Sequence, residues 1–197
     1  MNLPNKLTLS RIILIPFMMF FYLASFIPYG IGKIVALAIF IVAALTDLLD
    51  GKIARKYNLV TNLGKFMDPI ADKVLTTAVF ILLIADSTIA RPWGAIIVTI
   101  IVAREFMVSA LRLLAATKGK VLAADIWGKA KTMTQMIALP IFILLAYIYT
   151  CGFAVVHWLV TLVEVIAYSG IAAATVLTVL SGTNYLIKNK DCFKEDK

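Results

Sequence analysis

An all-α integral membrane protein, a bundle of six membrane-spanning helices, is the fold class this sequence predicts, on three observations. Of its 197 residues 62% are hydrophobic and only 15% charged, and the mean hydropathy is +0.96, which excludes an ordinary soluble globule or a disordered chain. The apolar residues gather into six stretches, each near or above the length that a hydrocarbon core requires. The basic residues crowd every second connection, in the manner of the positive-inside rule.

The first stretch, 7–27, has Pro4 and Arg11 at its start. It runs long for the apolar part of a secretory signal and lacks a clear small-residue cleavage site, so it reads as a mature helix. The second, 31–54, turns acidic at Asp47 and Asp50, and the third, 66–86, is acidic at Asp68 and Asp72 before becoming apolar. The fourth, 91–115, carries Arg104, Glu105 and Arg112; the fifth, 129–150, opens on Lys129 and Lys131. The sixth, 157–187, holds Glu164 and the run Ser169-Gly170-Ile171-Ala172-Ala173-Ala174, whose small residues suit close helix packing, inside the bundle or between two copies. Trp93, Trp127 and Trp158 fall near span ends as interfacial anchors, and His157, the only histidine, reads as interfacial rather than as a ligand.

The net charge of +8 marks orientation, not nucleic acid. Lys6 and Arg11 precede the first span, Lys52, Arg55, Lys56 and Lys65 fill the second connection, Lys118, Lys120, Lys129 and Lys131 the fourth, and Lys188, Lys190, Lys194 and Lys197 the tail. Six alternating spans put all of these on one side, so both termini and the aspartate-rich loop are expected to be cytoplasmic, in a multi-pass protein of the cell membrane. Lys33, Arg91 and Asp86 fall on the other side. Cys151 and Cys192 lie on opposite sides and cannot bridge. No linker or internal repeat divides the chain, which reads as one domain over 1–197.

The four aspartates are the main clue to function. An aspartate at a membrane-helix centre costs roughly 2.5–3.5 kcal/mol, so four unpaired ones would cost about 10 kcal/mol. On a helix, Asp47, Asp50, Gly51 and Ala54 fall within about 60 degrees of Asp47, one stripe of carboxylates and small residues. Arg55 lies just off it, where a guanidinium fork suits a phosphate oxygen. On the next helix Gly64, Asp68 and Asp72 recur at i, i+4 and i+8. Two carboxylates from each helix balance two divalent ions, and hard oxygen ligands without histidine or cysteine favour Mg²⁺ or Mn²⁺. Two such ions form a clamp for displacement at phosphorus.

Blander readings compete. Asp68 before Pro69 fits a helix N-cap with proline at N1. Arg55, Lys56 and Lys65 fit topology anchors, and Asp47 with Lys52 or Asp72 with Lys73 fit interfacial ion pairs. A divalent-cation transporter is the alternative of another class, but it would need acidic residues along the far side, where Asp86 and Glu164 stand alone.

The joint pattern Asp47-x-x-Asp50-Gly51-x-x-Ala54-Arg55, eight residues, Gly64-x-x-x-Asp68-x-x-x-Asp72 resembles the complete signature of the CDP-alcohol phosphotransferases. At average residue usage, eight fixed positions coincide by chance about once in ten billion starts, so the motif is specific. The resemblance implies that Asp47, Asp50, Asp68 and Asp72 bind two metals, with Asp72 also the general base. It further implies that Gly51, Ala54 and Arg55, with Asn5 and Thr8, border the donor CDP-diacylglycerol, and that such proteins pair as homodimers.

Arg104-Glu105-Phe106 through Arg112, Gly128-Lys129-Ala130-Lys131-Thr132 with Gln135, and Pro4-Asn5-x-Leu7-Thr8-x-x-Arg11 resemble the subgroup that makes phosphatidylglycerophosphate. That resemblance implies glycerol 3-phosphate as the acceptor, a dianion that Arg104, Arg112, Lys129 and Lys131 would hold. Glu105 would orient Arg104 or Arg112. The same chemistry on inositol phosphate, serine or a second lipid is the alternative within the class.

Overall fold

In the computed structural model six long helices carry the chain: α1 (Leu3–Leu23), α2 (Ile31–Lys56), α3 (Asn62–Ala85), α4 (Trp93–Thr117), α5 (Ile126–Cys151) and α6 (His157–Lys188). The structure describes residues 3–56, 62–90, 92–117, 126–151 and 157–188, with side chains for all of these except 3–4, 48, 50, 52–56, 62–63, 65–66, 113–114 and 116–117. Among the described residues five helices are long and apolar enough to cross a membrane: α1, α2, α4, α5 and α6. The third expected span coincides with α3, which is 24 residues long but carries Asp68, Asp72 and Lys73 in its first half.

Helix ends differ most from expectation at α1, which runs 3–23 rather than 7–27. It stops because Pro28 forces Ile27 into an extended conformation (φ −84°, ψ 114°) and opens a 3₁₀ turn, Pro28–Gly30, that leads into α2. Tyr29 and Gly30 in that turn have φ of 56° and 65°. The other large shift is at α3, which begins at Asn62, six residues before Asp68. Asp68 is therefore inside the helix and is not its N-cap, and Pro69 sits mid-helix, tolerated as prolines are in membrane helices.

The chain packs as two compact units, Met1–Ile89 with Leu139–Val165, and Ala90–Ala138 with Ile166–Lys197. In the first, α1 packs against α2 and α3. One stripe of α1 is buried, Asn5, Thr8, Arg11, Ile15, Met18 and Tyr22, at spacings of three and four. Its opposite face presents Leu9, Ile13, Phe17 and Phe20, as a lipid-facing surface should. Glycine is required at position 32: a Cβ there would overlap the Phe21 carbonyl oxygen.

At the end of this unit remote from the aspartate motif, Asp86 joins several elements. It accepts hydrogen bonds from Tyr22 Oη (2.5 Å), Lys33 Nζ (2.8 Å), Thr88 Oγ1 (2.6 Å) and the Thr88 amide (3.0 Å). Lys33 also donates to the Ala146 carbonyl at 3.2 Å and lies 5.1 Å from the centroid of the Tyr22 ring. Glu164 accepts from Tyr149 Oη at 2.6 Å, which supplies its partner.

In the second unit Val108, Leu111 and Tyr185 form a buried cluster with Met107 and Leu186 around it. Gly170 meets Ala138, where a Cβ would stand 3.0 Å from the alanine methyl, so this residue of the small run packs inside the unit. Ser169, Ala172 and Ala173 are exposed.

Two predictions follow from the first unit. Gly32→Ala should destabilise by about 1–3 kcal/mol, since backbone must shift to admit the methyl, read as a lower melting temperature in detergent. Burial alone would raise the Asp86 carboxyl, but hydrogen bonds from Lys33, Thr88 and Tyr22 outweigh it and hold it below the ordinary value. A lowered folded value gives stability that is complete above the unfolded value of about 3.9 and is lost as pH falls through the folded one. The melting temperature should fall below about pH 4, and Asp86→Asn should be less stable at neutral pH with a flatter acid limb.

Candidate active site

The motif carboxylates prolong the buried stripes of their helices. On α2, Gly32, Ala36, Phe40 and Ala43 are buried, and the same face continues to Asp47 and Gly51, both half-buried. On α3, buried Gly64, Ala71 and Leu75 share a face with half-buried Asp68 and Asp72. Inward-facing stripes thus deliver carboxylates to one end of the first unit, where the N-terminal half of α1 meets them.

Two contacts tie α1 to this end. Arg11, 0% exposed, places Nη1 2.5 Å from Asp47 Oδ1. Thr8 donates to Asp68 Oδ1 at 2.6 Å. Asn5 is buried one turn earlier on the same stripe. Sequence reasoning counted Arg11 as an orientation marker and as the end of the Pro4-to-Arg11 pattern but gave it no role in the site, yet it is buried there. The readable signal was Asn5-x-x-Thr8-x-x-Arg11, three polar residues at helical spacing on one face. Asp72 lies one turn beyond Asp68, and its carbonyl accepts from Thr76 Oγ1 at 3.2 Å.

Asp50, Ala54 and Arg55 belong to α2, but their side chains lie outside the described residues, as does that of Lys52. Among the described residues no three carboxylate, histidine or cysteine side chains converge, and Asp50 is not among those. The residues that could hold a cation are half-buried carboxylates on apolar helices, of which Asp47 is already paired with a buried guanidinium. The donors are oxygens, as Mg²⁺ or Mn²⁺ require.

The residues expected to bind the acceptor phosphate lie in the second unit. Arg104 Nη2 donates to Ser181 Oγ at 2.8 Å. A Cβ at Gly182 would come within 3.0 Å of Arg104 Cγ, so a glycine there makes room for that side chain. Lys131, 1% exposed, is ion-paired with Glu105, which orients this lysine instead of Arg104 or Arg112. The sequence placed Glu105 on the right element but could not choose its partner from α5. Arg112 is exposed, with its guanidinium carbon 5.7 Å from the Tyr185 ring centroid. Lys129 is exposed and points about 200 degrees away from Lys131 around α5.

A sequence profile of the family described as CDP-alcohol phosphatidyltransferase matches residues 1–167, which takes in α1 to α5 and the motif. The chain belongs to the CDP-alcohol phosphatidyltransferase family. In this transferase family, proteins named CDP-diacylglycerol–glycerol-3-phosphate 3-phosphatidyltransferase are similar to it. The one from Bacillus subtilis (strain 168) is 40% identical over 204 residues, covering 98% of this chain and 97% of its own. That from Rickettsia bellii is 44% identical over 144 residues, 73% and 75% of the two chains. That from Salmonella paratyphi A is 37% identical over 191 residues, 94% and 93%.

Arg11 gives this family member's site a direct test. Arg11→Met keeps the length of the side chain but leaves Asp47 without its cation. Truncating one partner of a buried pair costs about 3–5 kcal/mol; with Asp47 a third exposed, the lower end is expected, about 3 kcal/mol. Arg11→Lys should recover part of the loss in detergent melts.

Proposed function

We propose that this protein transfers a phosphatidyl group from CDP-diacylglycerol to glycerol 3-phosphate, forming phosphatidylglycerophosphate and CMP in phospholipid synthesis. The observation that carries the reading is near full-length similarity to a relative named for that reaction. The inward placement of Asp47, Asp68 and Asp72 supports it independently.

Asp47, Asp50, Asp68 and Asp72 would hold two divalent cations, Mg²⁺ or Mn²⁺. Such ions, when bound, polarise the phosphoryl oxygens and offset the charge on the attacking and leaving oxygens. Asp72 accepts the proton of the acceptor hydroxyl, whose oxygen bonds to the phosphorus bearing diacylglycerol as the bond from that phosphorus to CMP breaks. Thr8 and Arg11 orient Asp68 and Asp47. Gly51 and Ala54 leave room for the cytidine diphosphate, Asn5 and Thr8 border it, and Arg55 takes a phosphate oxygen. Arg104, Lys131, Arg112 and Lys129 draw in the acceptor dianion.

In the same reading α3 is a sixth span, with its charged first turns at the cytoplasmic interface of the cell membrane. Both termini and the site then face the cytoplasm, where the polar acceptor is dissolved. Two copies pair as a homodimer.

The test is CMP release by purified protein in detergent with CDP-diacylglycerol and Mg²⁺ or Mn²⁺. Release is expected to require the metal and glycerol 3-phosphate, and not to occur with inositol phosphate, inositol, serine or phosphatidylglycerol. Release with one of those instead overturns the acceptor, and none with any overturns the reaction. Asp72→Asn should remain folded yet lose about 10²–10⁴-fold in turnover, because an amide takes no proton.

A further inference from the structure

The second unit holds a buried polar atom that its own fold leaves unused. Gly128, Lys131, Gln135 and Ala138 recur along one face of α5, and the last three are buried. At the Gly128 end the Arg104 guanidinium lies alongside, 3.6 Å from where a Cβ would stand. Next, Glu105 holds Lys131. One turn further Gln135 is 2% exposed, and its Oε1 has no hydrogen-bond partner among the described residues. Buried amide oxygens are seldom left so, and each that is calls for an explanation.

The chemistry of that atom narrows what it can receive. A carbonyl oxygen only accepts, so it repels a phosphate dianion, which has no proton to give. Its complement is a donor. Gln135 stands four residues from Lys131, so the two side chains leave the helix about 5–6 Å apart on one face. The secondary hydroxyl of glycerol 3-phosphate lies four bonds from its phosphorus. A phosphate on Lys131 and Arg104 therefore carries that hydroxyl toward Gln135.

We propose that Gln135 is a specificity-determining residue, its Oε1 accepting a hydrogen bond from the secondary hydroxyl of the acceptor, the one that is not transferred. The inference rests on the acceptor proposed above. It gives Lys131 and Gln135 separate tasks, since the lysine draws in any phosphate monoester and the amide selects the one with a hydroxyl beside it. Sites built around a substrate hydroxyl reject analogues without it, because the buried polar group is then left unpaired.

The experiment compares glycerol 3-phosphate with 3-hydroxypropyl phosphate, which keeps the phosphate and the attacking hydroxyl and lacks only the secondary one. The wild-type protein should favour glycerol 3-phosphate in kcat/KM by about ten- to a hundredfold. Gln135→Met, close in volume and without the oxygen, should bring that ratio near one. A merely structural role would lower both rates together and keep the ratio, which overturns the proposal, as does a wild-type protein that uses both acceptors equally. If Gln135→Met does not fold, the wild-type melting temperature with each acceptor decides, and equal shifts overturn it. Failure of the wild type to release CMP with glycerol 3-phosphate is a different result, which removes the proposed function itself.

Discussion

A guanidinium with no exposure to solvent, set against the first aspartate of the motif, is the contact on which the site end of this protein depends. Arg11 and Asp47 come from neighbouring helices whose outer faces are leucine, isoleucine and phenylalanine, and neither charge would be tolerated there alone. Pairing them lets α1 and α2 keep polar groups on stripes that elsewhere are apolar. Thr8 does the same for α3 by donating to Asp68. At one end the helices are thus ordered inside out, with polar and charged groups within and hydrocarbon without.

The opposite end of the same unit solves a different problem. Asp86 gathers hydroxyl, ammonium and amide donors from α1, α2 and the turn after α3, and Lys33 extends the network to an α5 carbonyl. Nothing in this network needs to let go for chemistry to occur. Its donors come from three elements, whereas among the described residues Asp47 and Asp68 each meet α1 alone, through Arg11 and Thr8. Charge at this end fastens helices, as the Arg11–Asp47 and Thr8–Asp68 contacts do at the other.

Much of this was legible in the sequence because its signals are local. Six apolar stretches marked six helices, and the spacing of Asp47, Asp68 and Asp72 placed them on inward faces before any packing was known. What the sequence could not show was partnership. The spacing of Asn5, Thr8 and Arg11 put them on one face, but only the approach of α2 reveals that Arg11 is paired with Asp47. Glu164 had no partner until Tyr149 was placed beside it, and Glu105 had Arg104 and Arg112 as candidates, whereas its partner is Lys131 of α5. Asp68 looked equally able to cap a helix, and only the start of α3 at Asn62 removed that option. The third stretch forms α3, but the acidic first turns lower its apolar average, and it is not among the helices apolar enough to cross a membrane.

The touching backbones of α1 and α2 at Gly32 have a mechanical consequence. Fifteen residues of helix separate Gly32 from Asp47, a lever arm of about 22 Å. A splay of about 5 degrees at that fulcrum would displace the aspartate by roughly 2 Å, and misplacement of about 1 Å is enough to cost an active site a hundredfold in rate. The position of Asp47 is therefore set in part from the remote end of the same helix, by a residue whose only contribution is the side chain it lacks.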